Sequence, residues 1–198
     1  VLNQPSLFGT DEACLLDRPL AVIDLETTGT GPTRDRVIEI GLILVRGGEE
    51  EERWSTLVNP QRRLSPFIEG YTGITTAMLQ DAPTFAEIAG SLRQRLANRL
   101  LVAHNVRFDY GFLQAEYARL DQSLACPTLC TVRLSRQLYP QERRHNLDNI
   151  ISRHRIACVS RHRALDDALA LADFLRCLRA EQPVALLDKA VRKQLKPF

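Results

Sequence analysis

Short apolar runs alternate with polar breaks along the chain, and the spacing within each run predicts its element. Leu20 to Leu25 is almost continuously apolar, as a central strand buried on both faces requires. Val37 to Arg46 predicts a second strand, interrupted by Glu39. Gly47 and Gly48 predict the hairpin turn into a third strand over 53–58, which Asn59 and Pro60 end. Thr84 followed by Glu87 has the spacing of a capping box and opens a helix through Ala97. Leu100 to Ala103 predicts a short strand, and Phe108, Phe112, Leu113, Tyr117 and Leu120 stand close to helical spacing. A strand over 128–132 and helices over 134–138, 147–154 and 164–180 complete the pattern. Three strands followed by strands alternating with helices predict an α/β fold: a mixed sheet with helices on its faces. No internal repeat or low-complexity segment interrupts it.

Composition narrows the class. A chain of 198 residues, 44% hydrophobic and 25% charged, fits one ordinary globular domain with a substantial core. Its apolar runs fall far short of the roughly 20 residues that cross a bilayer. No basic segment followed by an apolar run opens the chain, so no secretion signal is expected and a cytoplasmic setting is the default. Five cysteines, an odd number, suit reduced thiols better than a disulfide framework. Cys126 and Cys130 have no second pair to complete a zinc site and are expected to be small buried residues beside a strand. Residues 1–18 read as a polar arm, 19–180 as the main domain and 181–198 as a basic, amphipathic tail. The start at Val1, without methionine, reads as a piece trimmed or excised from something longer. A net charge of +2 does not by itself announce a nucleic-acid binder. Its distribution says more: basic clusters at Arg143–His145, at Arg161–Arg163 and from Lys189 to Lys196 could follow a phosphate backbone, or be solvated faces.

Three acidic segments carry the candidate chemistry. In Asp24-Leu25-Glu26-Thr27-Thr28-Gly29, residues two apart on a strand share a face, so Asp24 and Glu26 aim two carboxylates the same way. Burying like charges together is costly unless a cation neutralises them, and carboxylate oxygens suit Mg²⁺ or Mn²⁺. His104-Asn105-Val106-Arg107-Phe108-Asp109 follows the short strand and puts Asp109 in the first turn of the next helix. His162-Arg163-Ala164-Leu165-Asp166-Asp167 puts Asp167 early in another helix, with His162 in the loop before it. A histidine's ordinary pKa lies near working pH, which suits a general base. Singly, each segment has an ordinary reading: solvated acids at a turn, an acid favoured by a helix dipole, a surface histidine. Together, four acids and one histidine are what a two-metal phosphodiester hydrolase requires.

These segments, in this order, resemble the three motifs of the DEDDh exonuclease family over residues 20–178, and most of all the proofreading epsilon subunit of bacterial DNA polymerase III. Thr72-Gly73-Ile74-Thr75 and Ala82-Pro83-Thr84-Phe85 are similar to its segments between motifs. The resemblance implies a ribonuclease-H-like fold with a five-stranded mixed sheet flanked by helices. It implies 3′→5′ hydrolysis of DNA in proofreading or repair, with two Mg²⁺ or Mn²⁺ ions per site. Asp24, Glu26 and Asp167 would hold one ion, Asp24 would bridge to the second with Asp109 supporting it, and His162 would activate water. Asp166 neighbours Asp167, but the family's spacing of a histidine five before the acid selects Asp167. Glu26, Thr27 and Thr28 would meet the 3′-terminal nucleotide, with His104, Asn105 and Phe108 shaping its pocket. The expected partner is a single-stranded DNA 3′ end. RNA 3′-end trimming is the nearest alternative, because motifs that grip metal and phosphate do not read the 2′-OH. A non-catalytic nucleic-acid-binding module is the alternative from another class.

The termini suggest further partners. Gln4-Pro5-Ser6-Leu7-Phe8 resembles the short peptides that dock on the bacterial sliding clamp, with Gln4, Leu7 and Phe8 as contacts and proline where leucine is commoner. The tail could pack on the domain, bind a polymerase subunit, or lead into a fused GIY-YIG nuclease domain, as in some bacterial relatives.

Overall fold

The computed structural model describes residues 14–195. Strands β1 (Leu20–Thr27), β2 (Val37–Arg46), β3 (Glu49–Leu57), β4 (Leu100–Ala103) and β5 (Thr128–Cys130) form one sheet in the order β3-β2-β1-β4-β5. β2 lies antiparallel to both β1 and β3, whereas β1–β4 and β4–β5 are parallel. The expected five-stranded mixed sheet is therefore present. Seven α-helices accompany it among the described residues: α1 (Pro66–Thr72), α2 (Phe85–Leu96), α3 (Arg107–Ala118), α4 (Thr131–Leu138), α5 (Leu147–His154), α6 (Ala164–Glu181) and α7 (Val184–Arg192).

Alternation along β1 sorts its side chains between two cores. Leu20 and Val22 pack with α6, through Leu171, Phe174 and Leu175. Ala21, Ile23 and Leu25 pack with α2 and α3, through Phe85, Leu92, Phe112 and Tyr117. Continuing the period of two puts Asp24 and Glu26 on the α6 face. α6 can lie close to the sheet because β2 has Gly41 beneath it. A Cβ there would stand 2.2 Å from the carbonyl carbon of Ala164.

The α6 N-terminus is held by the strand beneath it. Arg163 offers no side-chain cap; instead the buried Glu39 accepts the backbone N–H of Ala164 at 2.9 Å and pairs with the Arg163 guanidinium at 2.7 Å. Thr84 and Glu87 form the expected capping box, the Glu87 carboxylate accepting the Thr84 N–H at 2.7 Å.

Several boundaries differ from the sequence expectation. β3 starts at Glu49 rather than 53, because its acidic residues sit on an exposed edge and find arginine partners: Glu51 with Arg46 and Arg99, Glu50 with Arg53, Glu52 with Arg95. β5 ends at Cys130, and α4 begins immediately at Thr131. The buried set Thr131, Leu134, Ser135 and Leu138 has a helical period that a strand through 132 would break. α1 has no counterpart in the predicted pattern, although Ser65 caps it, Pro66 occupies its first turn and Gly73 closes it at φ 70°.

The arm and tail boundaries also shift. Leu15 and Leu16 are buried, and Leu15 donates its N–H to Asp188 of α7 at 2.8 Å, so the segment from residue 14 belongs to the domain. α7 buries Leu187 and Val191 in the same core, and Gln194 accepts the N–H of Cys130 at 3.1 Å. Of the uses foreseen for the tail, packing on the domain is the one observed. Cys126 and Cys130 are buried in the core beside β5. Among the described residues no helix is long and apolar enough to cross a membrane. The segment Gln4–Phe8 lies outside the described residues.

Candidate active site

Because β1 and β4 run parallel, their C-terminal ends open side by side, and the acidic segments meet there. One cleft of about 820 Å³ is lined by Asp24, Glu26, Asp109, His162 and Asp167, and also by Thr27, Thr28, His104, Asn105 and Phe108. Every candidate residue from 24 to 167 thus faces a common space. Two clefts of similar size, about 890 and 830 Å³, have no carboxylate in their lining. Chemistry, not volume, selects the site.

Each acid arrives on a different support. Asp24 and Glu26 come from the end of β1, Asp109 from the first turn of α3, and Asp167 from the first turn of α6. Both helix starts offer positive dipole ends to their carboxylates. Glu26, Asp109 and Asp167 are buried, and Asp24 is half-buried. Ligand atoms of Glu26, His162 and Asp167 all lie within 4.8 Å of one another.

Burial first, and the crowding of like charges second, raise the acids' pKa values. Burial pushes Asp24 well above the ordinary carboxylate range, with the charges of Asp109, Asp167 and Glu26 adding to it. Burial, then Asp167 and Glu39, pushes Glu26 up to about 7. Burial likewise raises Asp109 to about 8, against hydrogen bonds from the backbone of Asp109 and Leu25. Asp167 is raised by burial while Arg161 pulls it the other way. Four oxygen-bearing acids that resist sharing negative charge are a donor set fitted to hard divalent cations. Arg161 supplies a close cationic contact, spanning Asp148 at 2.6 Å and Asp167.

The candidate substrate residues fall into two groups. Thr28 is committed to the loop after β1: its hydroxyl accepts the Arg36 N–H at 3.0 Å and donates to Asp35 at 3.3 Å. Thr27 likewise donates to the Gly29 carbonyl at 2.6 Å. These threonines shape the loop as well as lining the cleft. On the opposite wall, His104 Nδ1 meets the Thr131 hydroxyl at 2.9 Å, and burial lowers its pKa to about 4, so its imidazole is neutral at working pH. Asn105 takes φ 66° to turn β4 into α3, a conformation asparagine tolerates better than most residues. Phe108 packs on Phe112 at 4.8 Å between ring centroids.

Phe67 and Tyr71 of α1, Asp148 of α5, Arg161 and Glu39 also line or brace the site, and no motif assigns them a role. Only two left a trace: Arg161 in a basic cluster, and Glu39 as the charge inside an apolar strand.

Known proteins match this architecture. The RNase T exonuclease profile matches residues 21–175. DNA polymerase III PolC-type of Bacillus subtilis (strain 168) is 35% identical over 173 residues, covering 86% of this chain and 12% of that protein. A Mycobacterium tuberculosis (strain CDC 1551 / Oshkosh) protein that carries the name bifunctional exonuclease/endonuclease is 39% identical over 177 residues, covering 85% of this chain and 27% of its own length. The chain therefore spans only a small part of these relatives. Among solved structures, Exonuclease I superposes with a TM-score of 0.78 at 19% identity, over 87% of this chain and 43% of that one. Exonuclease X in complex with 5′ overhanging duplex DNA gives 0.69 at 24% identity, over 87% and 99%. With its mixed sheet, its acidic cleft and these relatives, the chain belongs to the RNase T family of exonucleases, hydrolytic nucleases on a ribonuclease-H-like fold.

Proposed function

We propose that the protein removes nucleotides one at a time from the 3′ end of DNA, in proofreading or repair, using two divalent cations, Mg²⁺ or Mn²⁺. The observation that carries this reading is the convergence of Asp24, Glu26, Asp109, Asp167 and His162 on one cleft. Asp24, Glu26 and Asp167 would hold one cation, and Asp24 with Asp109 the other. Bound there, the cations would stabilise charge on the attacking and leaving oxygens of the phosphodiester. His162 would accept the proton of the attacking water. Thr27, Thr28, His104, Asn105 and Phe108 would enclose the terminal nucleotide, with neutral His104 offering a hydrogen bond rather than a charge.

DNA is favoured because the PolC-type relatives are named as DNA polymerases. RNA is the second reading, since a fold neighbour is a 3′-exonuclease recognising a histone mRNA stem-loop. Joining to a polymerase or to a second nuclease domain is proposed from the relatives' greater length. Clamp docking through Gln4, Leu7 and Phe8 rests on sequence alone. Oligonucleotides of one sequence, as DNA and RNA, with free or blocked 3′ ends, test substrate and direction. Shortening of free-ended DNA alone is expected; equal digestion of the 3′-blocked strand would refute the polarity.

A further inference from the structure

His162 has a neighbour that the family motifs do not explain. Its ring centroid lies 4.2 Å from that of Tyr71, with the planes tilted by 38°. Phe67, one turn earlier on α1, stacks nearly parallel on Tyr71 at 6.0 Å and 10°. Neither aromatic is a core residue: Phe67 is 74% exposed and Tyr71 51%. Their row along the cleft rim is therefore not a by-product of core packing.

The loop gives His162 a reason to need such a neighbour. Its backbone holds φ 62°, in the left-handed region that a side chain with a β-carbon disfavours. Contacts must hold this geometry against extended alternatives that would swing the ring away. α1 is a firm support for them. Ser65 accepts the Ile68 N–H, Thr72 donates to the Ile68 carbonyl at 2.9 Å, and Ile68 is buried with Ile38 and Ile74.

We infer that Tyr71 is a positioning residue for His162, its ring holding the imidazole against the Glu26 and Asp167 side of the cleft. The inference rests on the proposed role of His162 as base. The contact is ring on ring, so phenylalanine serves as well as tyrosine and alanine does not.

Two measurements test it. In the protein without added metal, NMR of the His162 ring protons, assigned with His162→Ala, is expected to show a ring-current shift that Tyr71→Ala abolishes and Tyr71→Phe retains. An unchanged spectrum in Tyr71→Ala would overturn the contact. In steady-state nuclease assays, Tyr71→Ala is expected to lower kcat on the order of tenfold, the loss when a base is no longer held aligned. KM and melting temperature should hold, Tyr71→Phe should restore the rate, and Tyr71→Ala should add nothing in a His162→Ala background. If His162→Ala is slow but Tyr71→Ala is at full rate, the positioning role fails and the proposed function stands. A Tyr71→Ala effect that falls on KM and persists without His162 would mean that Tyr71 grips the nucleotide, overturning the inference. Full activity in His162→Ala would remove the base assignment and this inference with it.

Discussion

Gly41→Ala offers a severe test of how the site is assembled, because it alters no charged group and lies outside the cleft lining. Gly41 sits on β2 opposite Asp24 of β1, under the start of α6. A Cβ there would be 2.2 Å from both the carbon and the oxygen of the Ala164 carbonyl, where ordinary contact begins at 3.4 Å. The obstacle is backbone and cannot rotate away. Helix and strand must therefore part by about 1.2 Å, the difference of those distances. Overpacking of this kind costs about 1–3 kcal/mol, and each kcal/mol lowers melting by about 2–4 °C in a domain of this size. The displaced segment also carries Asp167, three residues on from Ala164. A shift of about 1 Å at a reacting centre can cost about 10²-fold in rate. Melting curves and single-turnover cleavage of a 5′-labelled oligonucleotide measure the two effects together. Gly90→Ala is the control, since a Cβ there meets nothing within 4 Å; it should keep full activity and lose no stability. Wild-type rate and melting in Gly41→Ala would refute the close seating of α6 on the sheet.

Further outcomes follow from the acids. Raised carboxylate pKa values mean that the folded protein binds more protons than the unfolded chain. Their stabilising effect is thus full below about pH 4, the ordinary carboxylate value. It is lost as pH rises through about 7 for Glu26 and about 8 for Asp109. In chelator, melting temperature should fall from pH 5.5 to 8.5, and Mn²⁺ should raise it more at pH 8 than at pH 6; a melting temperature that climbs with pH in chelator would contradict this. Glu39→Ala should cost about 1–3 kcal/mol by leaving the buried Ala164 N–H without its acceptor, and Glu39→Gln less, since its amide oxygen still accepts. Chemical denaturation checks the order, and equal stability of all three proteins would show that Glu39 does not cap α6.

The sheet was legible because its strands are short and apolar in ways that few other elements are: Leu20–Leu25 and Leu100–Ala103 read directly as buried strands. The edge was less so, since Glu49–Glu52 reads as a solvated run until the arginines of β2 and α2 are placed beside it. α1 escaped because seven residues carry too little period, although its Ser-Pro start and Gly73 were local marks. The acids and His162 were legible as a set, since each sits where a strand ends or a helix begins. Their braces were not. Glu39 lies 125 residues from the helix start it caps, and Tyr71 lies 91 residues from His162. Pairings made only by the fold have no sequence period. Gly41 carried a weak signal, a glycine inside a strand, which marks a bulge or close approach without saying to what.

In the proposed function the acidic cleft would hold divalent cations and the protein would hydrolyse DNA from its 3′ end. The most direct test follows a 5′-labelled single strand with wild type and with Asp167→Asn, in Mg²⁺, in Mn²⁺ and in chelator. A ladder shortening one nucleotide at a time in either metal, abolished by chelator and by the substitution, is the predicted result. Cleavage that survives chelator, or that Asp167→Asn leaves at full rate, would contradict the account.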